Sequence, residues 1–271
     1  MPQIQIRTED APLVRPEEFP DWILFEDEDL LVLNKPGWLV CHPSKNGPWS
    51  SLVGAARVYC GVERLYLAGR LDRETSGVVV LGKNASTGKS WQRAVEKRET
   101  VRIYLAVLEG ELVEKTVMNH HLGNDPDSAV HVKQRVTAPS RKSKRAVTTY
   151  EPLAIRSGFS LARVTTATGR KHQIRVHAQA MGFPLVGEKL YGHDENLYLK
   201  FCEGGWTEDL ADSLALPRQA LHSALFGLKN TDRIFTAPFP VDLKAFCIER
   251  MGLSETELDD VFAKALPLAD S

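Results

Sequence analysis

The stretch Trp22-Ile23-Leu24-Phe25-Glu26-Asp27-Glu28-Asp29-Leu30-Leu31-Val32-Leu33-Asn34-Lys35-Pro36 decides the fold class. Two apolar, strand-prone runs flank an acidic turn, which is the pattern of a β-hairpin, and Pro36 ends the second strand because it cannot donate to a ladder. Working outward, Val78-Val79-Val80-Leu81 is a β-branched run held between Gly77 and Gly82 and predicts a buried strand. A polar, helix-compatible stretch follows from Ser86 to Lys97. From Thr100 to Glu109, the residues Val101, Ile103, Leu105 and Val107 alternate, predicting a strand with one face buried and Tyr104 on the opposite face. Ala146 to Tyr150 and Phe159 to Thr166 predict an antiparallel pair that turns at Ser157-Gly158. Lys171 to Met181 lacks Gly and Pro and predicts a helix ending at Gly182. Near the C-terminus Ser254 and Glu257 fit a capping box, with Leu258, Val261, Phe262 and Leu266 as the apolar stripe of a helix packed on the core. Strands outnumber helices and are mostly hairpin-linked, so the class is α+β: a largely antiparallel mixed β-sheet core with flanking helices.

Composition sets outer bounds. The chain has 271 residues, 43% hydrophobic and 25% charged, enough for a large core. No apolar run approaches the roughly 18 residues of a membrane span, and Met1-Pro2-Gln3-Ile4 does not begin a signal peptide. Cys41, Cys60, Cys202 and Cys247 form no CxxC pair, which argues for reduced, mostly buried thiols rather than a zinc knuckle or a disulfide framework. A cytoplasmic protein is the expectation. The net charge is only −1, yet Lys133 to Arg175 holds 11 Lys or Arg against one Glu, a local +10 that leaves −11 for the rest. Such asymmetry points to a basic face, suited to a polyanion, on an otherwise acidic body. The plainer alternative is a solvated basic loop around Arg141-Lys142-Ser143-Lys144-Arg145.

One phosphate-binding pattern nearly fits. Gly82-Lys83-Asn84-Ala85-Ser86-Thr87-Gly88-Lys89-Ser90 lies between a strand and a helix, as a P-loop does. Five residues separate its two glycines where the pattern needs four, and the extra residue spoils the run of backbone N–H groups that cradles phosphate. A strand-to-helix turn with exposed lysines is the better reading.

Three separated segments carry a more specific signal. They are Leu33-Asn34-Lys35-Pro36-Gly37-Trp38-Leu39-Val40-Cys41-His42-Pro43, then Gly69-Arg70-Leu71-Asp72-Arg73-Glu74-Thr75-Ser76-Gly77, then Thr168-Gly169-Arg170-Lys171-His172-Gln173-Ile174-Arg175-Val176-His177, the last followed by Pro184-Leu185-Val186-Gly187-Glu188-Lys189-Leu190-Tyr191-Gly192. Arg218-Gln219-Ala220-Leu221-His222-Ser223 is a weaker fourth. In content, order and separation they resemble the RluA family of pseudouridine synthases over about residues 22 to 245. The resemblance implies the pseudouridine synthase fold, with an active-site cleft between two halves of the sheet, and an isomerase that converts uridine in tRNA or rRNA to pseudouridine. That reaction cleaves N1–C1′, rotates the uracil and joins C5 to C1′. A carboxylate suits it, as nucleophile or as electrostatic support at C1′. Asp72, set between Arg70 and Arg73, is the expected catalytic carboxylate, and those arginines would hold it ionised. As an isolated residue it could equally be a turn aspartate before the Val78 strand.

The resemblance also implies roles elsewhere. Arg175 matches the basic partner of the carboxylate, a task that suits the fork of a guanidinium. Tyr104 matches the tyrosine that stacks on the target base and helps move a proton. Arg70 matches the arginine that enters the RNA stack after the base has left it. Arg73, Thr75, Lys142, Lys144, Arg145, Arg170, Lys171, His172 and Gln173 complete the expected RNA contacts. Two positions depart from the pattern: Gly69 stands where many members carry His, and Lys171 where Thr is common. The spacing of five between His172 and His177 misses the i, i+4 geometry of a helical zinc pair, so no metal is expected, nor any cofactor. No S4-type RNA-binding module fits ahead of Trp22, so RNA affinity is expected from the catalytic part itself, through Lys133–Arg145. The expected organisation is an extended lead-in over 1–20, one catalytic domain over 21–250 and a helical extension over 251–271, working as a monomer without an obligate protein partner or a membrane. The alternative from another class is a non-catalytic RNA-binding or RNA-chaperone protein on the same scaffold.

Overall fold

The computed structural model describes residues 13–42 and 46–266. Expectations for residues 1–12, for Pro43 and for 267–271 therefore lie outside the described residues. The chain divides into two compact units, Met1–Arg102 with Ser223–Pro238 and Ile103–His222 with Phe239–Ser271. Both mix strands with flanking helices.

In the first unit, β1 (Ile23–Glu26) and β2 (Leu30–Lys35) form the expected antiparallel hairpin. Its turn is built by Asp27, whose Oδ1 accepts from the backbone N–H of Asp29 at 2.9 Å and of Leu30 at 2.7 Å. A helix α1 (Leu52–Cys60) and a short strand β3 (Tyr66–Leu67) precede β4 (Ser76–Gly82), which pairs antiparallel with both β2 and β3. A helix α2 (Ala85–Lys97) follows. The apolar runs of β2 and β4 are continuous because both faces of this sheet are covered. Leu31, Leu33, Val79 and Leu81 pack with Leu52, Val53, Ala55 and Ala56 on α1. Leu30, Val32, Val78 and Val80 pack on the other face with Trp91 of α2. Within the stretch expected as an extended lead-in, Val14 and Phe19 join the α1-side core, and Phe19–Trp22 is a 3-10 turn.

The rejected P-loop is a packing device. Asn84 caps α2 through Thr87 N–H at 2.9 Å, and Lys83 pairs with Glu26 at 2.5 Å. A Cβ at Gly88 would stand 2.3 Å from Cβ of Tyr66, so the glycine is what lets α2 lie against β3.

In the second unit, β5 (Thr100–Glu109), β6 (Thr116–Asn124), β7 (Gln134–Thr137), β8 (Lys144–Arg156) and β9 (Phe159–Thr166) pair antiparallel in the order β5-β9-β8-β6-β7. The β8–β9 turn uses Ser157 at φ 53° and Gly158 at φ 77°, the two left-handed residues a tight hairpin needs. Contrary to the one-face expectation, β5 is buried on both faces over Leu105–Leu108. Ala106 and Leu108, apolar themselves, pack with Ile174 and Ala178 of the helix α3 (Gln173–Ala180), while Val107 faces Leu243 and Phe246. The helix α3 starts two residues later than expected, because His172 is left-handed at φ 54°.

Helices α4 (Asn196–Gly204) and α5 (Glu208–Ser213) come next, and strands β10 (Leu221–Leu228) and β11 (Ile234–Thr236) form an antiparallel pair. Two helices close the chain, α6 (Val241–Glu249) and α7 (Glu255–Ala265). The capping box of α7 is formed as expected, with Ser254 and Glu257 bonded reciprocally, and Leu258 and Val261 face the α6 core. Cys41, Cys60, Cys202 and Cys247 form no disulfide among the described residues, Cys41 and Cys247 being buried and the other two half-buried. No helix among the described residues is long and apolar enough to cross a membrane.

Candidate active site

Asp72 lies in the first unit, half-buried, at the head of a turn closed by Thr75 N–H donating to its carbonyl at 3.2 Å. The turn precedes β4, where Gly77 sits at φ 108° and a Cβ would come within 2.2 Å of the Ser223 carbonyl oxygen. Only glycine permits that approach.

The first motif holds this turn in place. Lys35 is 0% exposed, and its ammonium donates to the carbonyls of Pro36 at 2.8 Å, Leu39 at 2.7 Å and Arg73 at 2.9 Å. A buried cation with a full set of carbonyl acceptors is a strong clamp, here joining the 36–39 loop to the residue beside Asp72. Two further bonds run the same way, from Cys41 Sγ to the Leu71 carbonyl at 3.4 Å and from Arg73 Nε to the Trp38 carbonyl at 3.1 Å. Burial pushes the Cys41 thiol up from its ordinary pKa, so it stays protonated and donates. Arg70 Nη1 meets His42 Nε2. Arginine can only donate, so His42 accepts as neutral imidazole, consistent with burial and the Arg70 charge lowering its pKa. Sequence reasoning quoted Lys35, Cys41 and His42 inside the motif but gave them no role. The available signal was a lysine placed between a buried apolar run and a proline.

Tyr104 and Arg175 lie in the second unit. Tyr104 packs, partly buried, on the face of β5 that carries Ala106 and Leu108, so it is not the fully exposed strand tyrosine its spacing allowed. Arg175 is buried on α3, and Glu188 takes its Nε and Nη2 in a bidentate pair at 2.7 Å each. Its guanidinium also lies over the Tyr191 ring, 4.9 Å from the centroid. Burial pushes the Glu188 carboxyl up, but the Arg175 charge and bonds and the N–H groups of Leu190 and Tyr191 outweigh it and hold the pKa below the usual value. Glu188 and Tyr191, quoted in the third motif without a function, thus fix the plane of Arg175.

The Thr168–Gln173 loop is held just as firmly. Gln173 was expected at the RNA, but it is only 4% exposed. Its Oε1 accepts from Thr168 Oγ1 at 2.7 Å and Arg170 N–H at 3.0 Å, and its Nε2 donates to the Val147 carbonyl at 3.0 Å and Thr148 Oγ1 at 2.9 Å. A carboxamide so occupied frames the loop rather than contacting a ligand. Thr75, also expected at the RNA, is buried as well. His172 and His177 bond to different partners, Tyr191 Oη at 2.7 Å and Thr148 Oγ1 at 2.8 Å.

The expected basic loop is an ordered turn that joins β7 to β8, which lie on either side of β6. Ser143 Oγ accepts from Ser140 N–H at 2.8 Å and bonds the Ala138 carbonyl at 3.1 Å, pinning the turn between β7 and β8. The charge is narrower than the sequence count implied, because Lys133 pairs with Glu195 at 2.6 Å and Arg135 with Asp127 at 2.5 Å. Arg141, Lys142, Lys144 and Arg145 are all exposed, and none is in an ion pair among the described residues. Arg170 Nε donates to the Arg145 carbonyl at 3.0 Å, so the third motif adjoins the start of β8.

The fold is that of pseudouridine synthases. It matches the human protein RNA Pseudouridylate Synthase Domain Containing 4 with a TM-score of 0.67 and 23% identity, covering 88% of this chain and 96% of that one. Human RNA Pseudouridylate Synthase Domain Containing 1 matches with a TM-score of 0.65 and 21% identity, covering 100% and 99%. The chain belongs to the RNA pseudouridylate synthase family, whose model matches residues 29–180, and is an isomerase acting on uridine in RNA. It is 37% identical over 183 residues to the uncharacterized RNA pseudouridine synthase MG209 homolog of Mycoplasma pneumoniae, a match spanning 66% of this chain and 58% of that protein. It is 32% identical to the uncharacterized RNA pseudouridine synthase YhcT of Bacillus subtilis, over 90% of this chain and 77% of that one. To the ribosomal large subunit pseudouridine synthase D of Zymomonas mobilis it is 31% identical, over 88% and 76%.

Proposed function

We propose that this enzyme isomerises specific uridines of ribosomal or transfer RNA on an extruded base, with Asp72 as the catalytic carboxylate, Tyr104 stacked on the uracil and Arg175 as the basic partner of the carboxylate. The observation that carries the reading is the clamp on the Asp72 turn, in which Lys35 and Cys41 take the backbone carbonyls on either side of Asp72. A carboxylate that must meet C1′ gains from being held before substrate arrives. The isomerisation balances within one nucleotide: N1–C1′ breaks, C5–C1′ forms, and the proton on C5 leaves as N1 gains one. It consumes no oxidant or reductant, and we propose that no cofactor takes part.

Arg70 is assigned to the RNA stack that the target base has left, and further RNA contacts to Arg73 beside Asp72 and to Lys142, Lys144, Arg145, Arg170 and Lys171 in the second unit, with His172 close to them in the chain. Ribosomal RNA is the favoured substrate, since several relatives bear the name ribosomal large subunit pseudouridine synthase D. We place the enzyme in the cytoplasm as a monomer. The test is pseudouridine mapping in RNA from a deletion strain, complemented with the wild-type gene or with Asp72→Asn.

A further inference from the structure

Tyr191 is wholly enclosed, at 0% exposure, yet its hydroxyl joins two separate pieces of chain. Its Oη accepts the backbone N–H of Gln134, the first residue of β7, at 2.9 Å and bonds Nδ1 of His172 at 2.7 Å. The Tyr191 and His172 rings meet edge to face, 76° apart. The Tyr191 ring also carries the guanidinium of Arg175. Its backbone N–H donates at 3.3 Å to Glu188 Oε1, the same oxygen that takes Arg175 Nη2. All of these residues lie in the second unit.

A buried phenol needs one partner for its hydroxyl, and Gln134 alone would satisfy it. The second bond goes to a residue in an unusual state. His172 is left-handed, at φ 54° and ψ 20°, directly after Arg170 and Lys171 and directly before α3. A histidine keeps that conformation only where its surroundings hold it. Tyr191 supplies such a hold from inside the unit, with β7 as the anchor behind it. The hydroxyl and the ring therefore act on different residues, the first on His172 and the second on Arg175. We propose that Tyr191 is a positioning residue with two separable roles: its hydroxyl fixes the 170–172 segment for RNA, and its ring fixes Arg175 for the reaction. The inference rests on the RNA-isomerase reading and deepens it, placing binding and turnover on different atoms of one buried side chain.

The test uses the full chain and total RNA from a deletion strain grown on uridine tritiated at C5, so that the substrate is present whichever RNA it is. Tritium release gives KM and kcat, and filter binding of the same RNA gives an affinity that needs no turnover. Tyr191→Phe should weaken binding and raise KM about tenfold, the worth of one hydrogen bond, with kcat within about twofold of the wild type. Tyr191→Leu removes the ring as well and should in addition lower kcat about tenfold or more. His172→Asn keeps a residue that tolerates a left-handed backbone, while its shorter side chain gives up the bond to Oη. It should raise KM as Tyr191→Phe does, and it carries the test should a Tyr191 variant fail to fold. Adding Tyr191→Phe to His172→Asn should change KM by less than about twofold, because the hydroxyl acts through His172. Wild-type KM and affinity in Tyr191→Phe would overturn the proposal, as would KM effects that multiply in the double variant. An equal fall in kcat for Tyr191→Phe and Tyr191→Leu would overturn the separation of roles and leave Tyr191 a packing residue. Absence of tritium release by the wild type would instead defeat the isomerase reading, and the binding series would still judge the hydroxyl.

Discussion

At the scale of single residues, the organising group beside Asp72 is Lys35. Its ammonium satisfies three carbonyls in a place without solvent, so replacing it does more than remove a charge: it leaves those oxygens buried without a donor. Lys35→Met should lower stability by about 3 kcal/mol or more, measured by denaturant unfolding. It should also depress turnover beyond what the stability loss explains, because the Asp72 turn loses its clamp. Wild-type stability in that variant would show the three bonds to be incidental. Asp72 and Arg175 were assigned by resemblance, since each falls inside a long motif, and Tyr104 was matched outside those motifs, on the 100–109 strand. Lys35, Glu188 and Tyr191 were in plain sight within the same motifs, yet their roles depend on what lies across the fold, which no local spacing encodes.

At the scale of elements, the sequence was most informative where the hydrophobic period was clean. The β1–β2 hairpin, β4 and the α7 capping box follow from alternation and cap chemistry that are local by nature. It misled at β5, because alternation of Val and Ile suggested a single buried face while Ala106 and Leu108 between them were already apolar. It was less informative at Lys133–Arg145, where the run of cations spans β7, a turn pinned by Ser143 and the start of β8. The ion pairs there narrow the expectation for RNA binding. Lys133 and Arg135 are held by acidic partners, so only the tip and the start of β8 offer free charge. Replacing Arg141, Lys142, Lys144 and Arg145 with Gln should weaken RNA binding and flatten its salt dependence by up to about 3 in slope, with thermal stability barely changed because all four are exposed. A salt slope equal to that of the wild type would remove this turn from the RNA footprint.

At the scale of the whole molecule, a net charge of −1 conceals the basic segment, while two buried titratable groups make stability depend on pH. His177 is 0% exposed, and burial together with the neighbouring His120 charge lowers its pKa from 6.5 to about 4. Between those values the unfolded chain binds a proton that the folded chain refuses. This contribution to stability is therefore complete above pH 6.5 and lost progressively as the pH falls toward 4, by up to about 1.4 kcal/mol per pH unit. Glu188 acts lower on the scale: its folded pKa is depressed below 4.5, so its pair with Arg175 stabilises above that value and fails as the pH drops through it. The predicted outcome is a Tm that falls measurably between pH 6.5 and 4.5, before carboxylates titrate, and a shallower fall in His177→Gln. An identical pH profile in that variant would exclude His177 as the cause. The family match over 29–180 contains Asp72, Tyr104 and Arg175, while α4 through α7 lie beyond it.

If Asp72 performs the uridine isomerisation, its loss is visible in cellular RNA. Pseudouridine is mapped across the ribosomal and transfer RNA of a deletion strain carrying either the wild-type gene or Asp72→Asn at equal protein level. One or more pseudouridines should vanish on deletion, return with the wild-type gene, and stay absent with Asp72→Asn although the variant still binds RNA. Restoration of the missing sites by Asp72→Asn at the wild-type rate would exclude Asp72 as the catalytic carboxylate.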